Sequence, residues 1–147
     1  MKKVFNNEIN ENNVNQIVEL YGWVQKVRNL GGLIFIDLRD RTGLIQLVVN
    51  PENKNYDLAN TLKSEYVIKV TGKVVERITS NEKISTGKIE VIVDELELIN
   101  TSIETPFQII DDVNANEDTL LKYRYLDLRR NNLINNFVLR HKITMSI

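Results

Sequence analysis

The amino-acid sequence predicts an all-β fold, a small five-stranded barrel with a short capping helix, followed by a mostly helical C-terminal extension. Three observations support this class. Apolar and polar residues alternate through most of residues 17–99, as they do in strands with one buried face. The tetrapeptide Asp-Arg-Thr-Gly at 40–43 has the end residues that a type I turn prefers. A sustained helical spacing of apolar residues begins only at Glu117.

Length and composition limit the class of protein. The 147 residues can hold one domain of about 100 residues and an appendage, and we place the domain boundary between 1–104 and 105–147. The chain has no cysteine, which excludes disulfides and thiolate metal sites, and its single histidine, His141, lacks partners for a metal site. A net charge of −1 argues against a polycationic binder. No apolar run has the length of a signal peptide or a membrane span, so we expect a cytoplasmic protein.

The first predicted strand is long and bent. Its alternation holds from Ile17 to Val24 and then slips by one residue, so that Val27 is apolar between two cations. A β-bulge between Val24 and Lys26 explains the slip and turns both Lys26 and Arg28 toward the outer face of the sheet. A small closed barrel requires such a strand.

The next two strands, at 33–39 and 44–50, are predicted to form a hairpin. Pairing Asp40 with Gly43 fixes the register, because the numbers of paired residues must then sum to 83. The outer face of this hairpin carries Phe35 and Gln46 as diagonal neighbours. The inner face carries six aliphatic side chains: Ile34, Ile36, Leu38, Ile45, Leu47 and Val49.

The remaining pattern completes a known order of elements. Two leucines four residues apart predict a short helix within 51–64, and alternation predicts strands at 66–78 and, continuing past a bulge, at 88–99. Three strands, a helix and two strands is the order of the OB-fold, a five-stranded Greek-key barrel whose second and third strands bind oligonucleotides. The sequence therefore predicts a nucleic-acid-binding barrel.

No catalytic arrangement is present. The sequence has no convincing Ser, His and Asp set or carboxylate pair, and Gly31-Gly32 is too weak a signal for a phosphate-binding loop. We therefore expect recognition by stacking and hydrogen bonding. Phe35 could stack on an unpaired base, although a neighbouring loop could instead cover it. Gln46 could read a base edge, and Arg28 could bind a phosphate or a guanine edge or be salt-bridged within the protein.

Charged residues are unevenly distributed. Residues 122–142 contain six basic residues and one acidic residue, a cluster that fits either a solvated face or a binding surface. In the hairpin we expect four charged residues to pair with one another rather than to touch a ligand: Asp37, Arg39, Asp40 and Arg41.

The C-terminal region is predicted to be helical. Asn116 is placed to cap a helix that begins at Glu117, and a second helix is expected from about Leu133. An apolar stripe without a partner is normally buried against another element or another subunit. We therefore expect the sequence to stop inside a longer protein. The stripe of the second helix includes Ile134, Phe137, Val138, Ile143 and Met145.

Four phrases of the sequence together resemble the N-terminal part of bacterial-type aspartyl-tRNA synthetases, which are class II enzymes. They are GWVQKVRNLGGLIFIDLRDRTGLIQLVV at 22–49, VTGKV at 70–74, TGKIEV at 86–91 and KYRYLDLRR at 122–130. The resemblance covers nearly the whole chain from about Ile17. Lysyl- and asparaginyl-tRNA synthetases share the barrel and contain shorter segments similar to these phrases.

The resemblance implies that the barrel binds the anticodon loop of tRNA(Asp), whose middle base is U and whose last base is C. It places the stacking aromatic at Phe35 and base-reading groups at Arg28, Gln46 and Glu90. It further suggests Arg77 and Asn81 at the mouth of the barrel. It implies no catalytic residue and no metal ligand in this chain.

The resemblance also implies what the intact enzyme would do. Such enzymes activate aspartate with ATP and Mg²⁺, esterify it to tRNA, and form homodimers through the helix that resembles the one beginning near Leu133. The chain itself is expected to bind RNA without a cofactor and to be a monomer. Two alternatives remain: a freestanding OB protein that binds single-stranded nucleic acid, and the equivalent domain of a lysyl- or asparaginyl-tRNA synthetase.

Overall fold

The computed structural model describes residues 2–146. Residues up to Ile103 form one compact unit and residues from Glu104 onward form a second. The first unit is built mainly of strands, and the second contains helices only among its regular elements in the described range. The predicted combination of an OB-type barrel and a helical C-terminal part is confirmed.

Along the described residues, the first unit contains six strands, one α-helix and two short 3-10 helices. The strands follow the sheet order β1-β2-β3-β4-β6-β5, and an additional pairing of β2 with β5 closes the barrel. The bounds are β1 Lys2–Lys3, β2 Ile17–Leu30, β3 Leu33–Arg39, β4 Leu44–Val49, α1 Tyr56–Thr61, β5 Val67–Glu76 and β6 Ile89–Asn100, with 3-10 turns at Asn6–Glu8 and Glu11–Asn13. Strand β1, which pairs in parallel with β2, was not predicted from the sequence.

The predicted bulge and register are both confirmed. The pairing of β2 with β3 shifts between Val24 and Lys26, and beyond the shift Arg28 pairs with Phe35 on the outer face. The hairpin of β3 and β4 aligns Ile36 with Leu47, as the sum of 83 requires. Each of the six predicted inner aliphatics has an exposed fraction of 0%, so the inner face forms the centre of the core.

Close approach of strands accounts for two glycines. A Cβ built on Gly72 of β5 would overlap the carbonyl oxygen of Ile92 and would stand 2.7 Å from Cγ1 of Val91. A Cβ on Gly22 of β2 would likewise overlap the carbonyl oxygen of Arg39. Both strands therefore approach a neighbour more closely than any side chain allows.

The hairpin turn is held by the N-terminal segment, which the sequence analysis did not anticipate. The fully buried Asn6 donates from Nδ2 to the carbonyl oxygens of Leu38 and Gly43, at 3.0 and 3.1 Å. Its backbone N–H donates to Oδ2 of Asp40 at 2.7 Å. The other carboxylate oxygen of Asp40 accepts the backbone N–H groups of Thr42 and Gly43, at 2.6 and 3.0 Å.

The expectation that the charged hairpin residues pair with one another is wrong. Asp37 pairs with Arg28 of β2 at 2.5 Å, and both carboxylate oxygens of Glu65 lie 2.8 Å from Nη2 of Arg39. The guanidinium of Arg41 lies over the ring of Phe5, 4.5 Å from its centroid. Residues two apart on one strand are separated by about 6.6 Å, so partners on neighbouring strands and loops are nearer.

The second unit contains α2 Glu117–Lys122, α3 Arg124–Asp127 and α4 Asn131–Met145. The predicted cap is confirmed, because Oδ1 of Asn116 accepts the N–H of Thr119 at 2.8 Å. The carboxylate of Asp127 is buried and lies between Arg124 and Arg130, at 2.5 and 2.6 Å. None of the described residues of α4 is buried, so its apolar stripe is exposed along the described chain. No helix among the described residues combines the length and the apolar character needed to cross a bilayer.

Replacing Asp40 with Asn should make the free energy of unfolding less dependent on pH in the acidic range. Burial alone would raise the pKa of Asp40, but hydrogen bonds from Asn6, Thr42 and Gly43 lower it below its ordinary value of 3.8. The ionised carboxylate therefore stabilises the folded state above about pH 4, and this contribution is lost as the pH falls through the lower pKa of the folded state.

We expect Asp40→Asn to lower the free energy of unfolding by about 1–3 kcal/mol near neutral pH, and the difference from the unsubstituted protein to shrink below about pH 4. Urea denaturation across this pH range measures it. The exposed Asp94 supplies the matched control, Asp94→Asn. A difference that does not change with pH would contradict the prediction.

A methyl group at Gly72 should strain the contact of β5 with β6. We expect Gly72→Ala to lower the free energy of unfolding by about 1–3 kcal/mol, because the backbone of Ile92 must move to make room. Urea denaturation with Lys73→Ala as the exposed neighbouring control tests this. A stability equal to that of the control would show that the strands can separate without cost.

Candidate nucleic-acid interface

The outer face of the barrel brings an aromatic ring next to a row of polar side chains. Arg28 and Phe35 are direct partners across β2 and β3, and Phe35 is in turn opposite Val48 on β4. Direct partners on antiparallel strands point to the same side of the sheet. The strand registers therefore place Arg28, Phe35 and Gln46, which lies two residues before Val48 on β4, together on one surface.

Four polar contacts join five side chains into one chain across the sheet. Nη2 of Arg28 donates to Oδ1 of Asp37 at 2.5 Å and lies 3.4 Å from Oε1 of Gln46. Nε2 of Gln46 donates to Oε2 of Glu90 at 2.8 Å. Nε of Arg77 lies 3.9 Å from the same oxygen of Glu90. We call the chain Asp37, Arg28, Gln46, Glu90 and Arg77 the polar network.

The long-range strand pairings place the members of the polar network. β4 and β6 run in parallel with Val48 opposite Ile92, which brings Gln46 beside Glu90 although 44 residues separate them. Glu90 is also opposite Val75 of β5, two residues before Arg77. Arg77 is held where β5 ends by its backbone N–H, which donates to the carbonyl oxygen of Lys88 at 2.9 Å.

Gln46 is not the exposed residue that the strand alternation suggests. Its exposed fraction is 5%, because flanking side chains cover its place on the outer face of β4. Arg77 and Glu90 are also mostly covered, with side-chain exposures of 14% and 16%, whereas that of Arg28 is 36%. The amide of Gln46 has a defined orientation, since its oxygen faces Arg28 and its nitrogen donates to Glu90.

The other two predicted residues lie outside the polar network. Phe35 is partly exposed beside Arg28, and the structure thus leaves part of its ring open to solvent. Asn81 lies in the loop between β5 and β6, where its Oδ1 accepts the backbone N–H of Lys83 at 3.1 Å. The side-chain oxygen of Asn81 therefore stabilises its own loop.

Asp37 is the member of the polar network that the sequence analysis missed. The hypothesis that Asp37 pairs within the hairpin is wrong, because Asp37 lies directly opposite Gln46 and diagonal to Arg28. Strand alternation already placed Asp37 on the face of Phe35, so the bulge in β2 was the signal that could have joined it to Arg28.

The polar network carries no net charge. Two guanidinium groups and two carboxylates balance, with one neutral amide between them. The guanidinium of Arg28 retains N–H donors and the carboxylate of Glu90 retains lone pairs beyond the contacts described, so donors and acceptors for base edges stand beside a ring. Among residues 2–146 no group of three or more His, Cys, Asp or Glu side chains could hold a metal ion.

Comparison with known proteins agrees with this geometry. A family described as OB-fold nucleic acid binding domain matches residues 18–99. The aspartate–tRNA ligase of Lactococcus lactis subsp. lactis (strain IL1403) is 54% identical over 142 residues, which cover 95% of this chain and 24% of that protein. The chain spans about a quarter of the length of the curated relatives it matches, 24% and 26% in two of them. The resemblance stated from the sequence phrases is thereby confirmed.

Solved structures extend the comparison. An asparaginyl-tRNA synthetase from Pyrococcus horikoshii, complexed with asparaginyl-adenylate, has a TM-score of 0.73 at 32% identity and covers 88% of this chain and 29% of that chain. An aspartyl-tRNA synthetase from Entamoeba histolytica has a TM-score of 0.82 at 20% identity, covering 99% of this chain and 38% of that chain, and this likeness concerns the fold alone. Because the family match extends over more than half of its residues, the chain belongs to the family of OB-fold nucleic-acid-binding domains.

Proposed function

We propose that this chain recognises the anticodon loop of tRNA(Asp) as part of an aspartate-tRNA ligase. In this proposal residues 1–104 form the recognition domain, and residues 105–147 are a linker and the start of a class II catalytic domain. The observation that carries the proposal is the polar network beside the partly exposed Phe35, on the outer face of an OB barrel. The names of the similar ligases and the sequence phrases support the choice of tRNA(Asp).

Recognition would use the two kinds of group that the face presents. An unpaired base stacks on the ring of Phe35, an interaction worth about 1–3 kcal/mol. Glu90 accepts from the exocyclic amine of the last anticodon base, C, while Gln46 and Arg28 contact base edges or the adjoining backbone. Arg77, next to the end of β5, and Asn81, in the loop between β5 and β6, would contact the remaining part of the anticodon loop.

The activity of the whole enzyme belongs to the same proposal. It would activate aspartate with ATP and Mg²⁺ and transfer it to tRNA(Asp) in the cytoplasm. The residues described here offer no carboxylate cluster for Mg²⁺, so no step of that reaction is assigned to them. The exposed apolar side chains of α4 support a homodimer of the intact enzyme, since such a stripe is normally covered by a partner.

Removing the ring of Phe35 should weaken RNA binding. We expect Phe35→Ala to raise the Kd for a stem-loop with the tRNA(Asp) anticodon by about 5- to 150-fold, because one base loses its stacking partner. Gln46→Ala should weaken binding as well. Fluorescence titration of the labelled stem-loop measures both effects.

The matched control is Phe137→Ala, which removes an exposed phenylalanine from α4 in the second unit. A Kd unchanged in both Phe35→Ala and Gln46→Ala would show that the RNA binds elsewhere.

Binding should depend only weakly on salt. The polar network is neutral and the chain has a net charge of −1, so few phosphates can be neutralised. For single strands the slope of log K against log salt is about −0.7 for each neutralised phosphate, and we expect a slope no steeper than about −2. Titrations at increasing KCl test this. A steep slope without preference among anticodons would instead support a non-specific single-strand binder.

The asparaginyl synthetase similarity at 32% identity favours one specific alternative, the equivalent domain of an asparaginyl-tRNA synthetase. Binding to stem-loops that differ only in the last anticodon base separates the two functions. Preference for C supports recognition of tRNA(Asp), and preference for U supports the alternative.

A further inference from the structure

The closest charged contact on the outer face involves a residue without a direct role in the proposed recognition. Asp37 on β3 holds Nη2 of Arg28 at 2.5 Å, and its side chain is 27% exposed. The same nitrogen of Arg28 lies 3.4 Å from Oε1 of Gln46. The carboxylate of Asp37 therefore fixes one end of a contact whose other end is the amide oxygen of Gln46.

This arrangement has an electrostatic consequence. An arginine without a partner on the surface of an RNA-binding protein is a mobile positive charge that attracts any phosphate. The carboxylate of Asp37 neutralises Arg28, and it restricts the long side chain to one direction. The donors that remain on Arg28 can then serve a base edge or a single phosphate at a defined position.

The contact also has a geometric consequence. Arg28 faces the oxygen of Gln46, so the nitrogen of Gln46 is directed to Glu90, at 2.8 Å. Without a fixed Arg28, the amide oxygen of Gln46 would lose this donor, and the amide would be held through its nitrogen alone, by Glu90. The positions of Arg28 and of the amide oxygen of Gln46 would then both be less defined, although neither side chain had been substituted.

We propose that Asp37 is a positioning residue for RNA discrimination: it aims Arg28, orients Gln46 through it, and keeps the charge of Arg28 from acting on phosphates in general. This inference rests on the proposed function and deepens it.

The test compares two substitutions that change the net charge equally. Asp37→Asn and Asp94→Asn each raise the net charge from −1 to 0, but Asp94 is an exposed residue of β6 outside the polar network. For each protein, the Kd is measured for stem-loops with C or U as the last anticodon base, over a range of KCl. Discrimination is the ratio of the two constants.

We expect Asp37→Asn to reduce discrimination by about tenfold and to steepen the salt slope by about 0.7, as one further phosphate is neutralised. Asp94→Asn should leave both quantities as in the unsubstituted protein. Asp37→Glu keeps the charge but displaces the carboxylate, so it should lose discrimination while the salt slope stays unchanged. This variant also serves if Asp37→Asn folds poorly, as thermal melting would reveal.

A double-mutant cycle separates positioning from a general structural role. If Asp37 acts through Arg28, adding Asp37→Asn to Arg28→Gln should cause no further loss of discrimination. A further loss of the same size would overturn the inference, as would undiminished discrimination in both Asp37 variants. If the unsubstituted chain itself fails to distinguish C from U, the proposed function falls, and the inference falls with it.

Discussion

The bend in β2 is the constraint on which the barrel and its outer face depend. The 14 residues of this strand pair with β5 over their first half and with β3 over their second, and the register shift between Val24 and Lys26 lies where the partner changes. The bend at the bulge lets each half of the strand follow a different neighbour around a small barrel. The bulge therefore closes the sheet, and it also turns Arg28 to the side that carries Phe35 and Asp37.

The core and the candidate interface share strand β4. Five of its six residues are buried, so side chains on both of its faces are covered. The inner face packs against the aliphatic core, whereas the outer face buries Gln46 between Arg28 and Glu90. A buried amide must have its hydrogen bonds satisfied, and the polar network satisfies them with groups from neighbouring strands. The polar side chains of the outer face are therefore also needed to pack β4.

The periodicity of the sequence and its turn residues predicted the structural features that depend on residues close together in the chain. The alternation around Val24, the Asp40–Gly43 turn and the cap at Asn116 each act over a few residues, and the structure has all three. The contacts that were missed join residues far apart: Asn6 with Gly43 across 37 positions, and Gln46 with Glu90 across 44. The spacing of residues along the sequence does not indicate contacts of this kind. Asp37 falls between these cases. Strand alternation predicted which face of the sheet carries it, but predicting its partner Arg28 required combining the β-bulge in β2 with the register of the hairpin.

The neutral polar network also affects the entropy change when a ligand binds. Ordering a glutamine or arginine side chain costs up to about 2 kcal/mol in lost rotamer freedom. Gln46 is already held by Arg28 and Glu90, so this loss occurs when the barrel folds. These side chains would therefore lose little further rotational freedom when a ligand binds to the outer face. Most of the remaining ordering would then fall on the flexible partner, whose bases must leave their own stack.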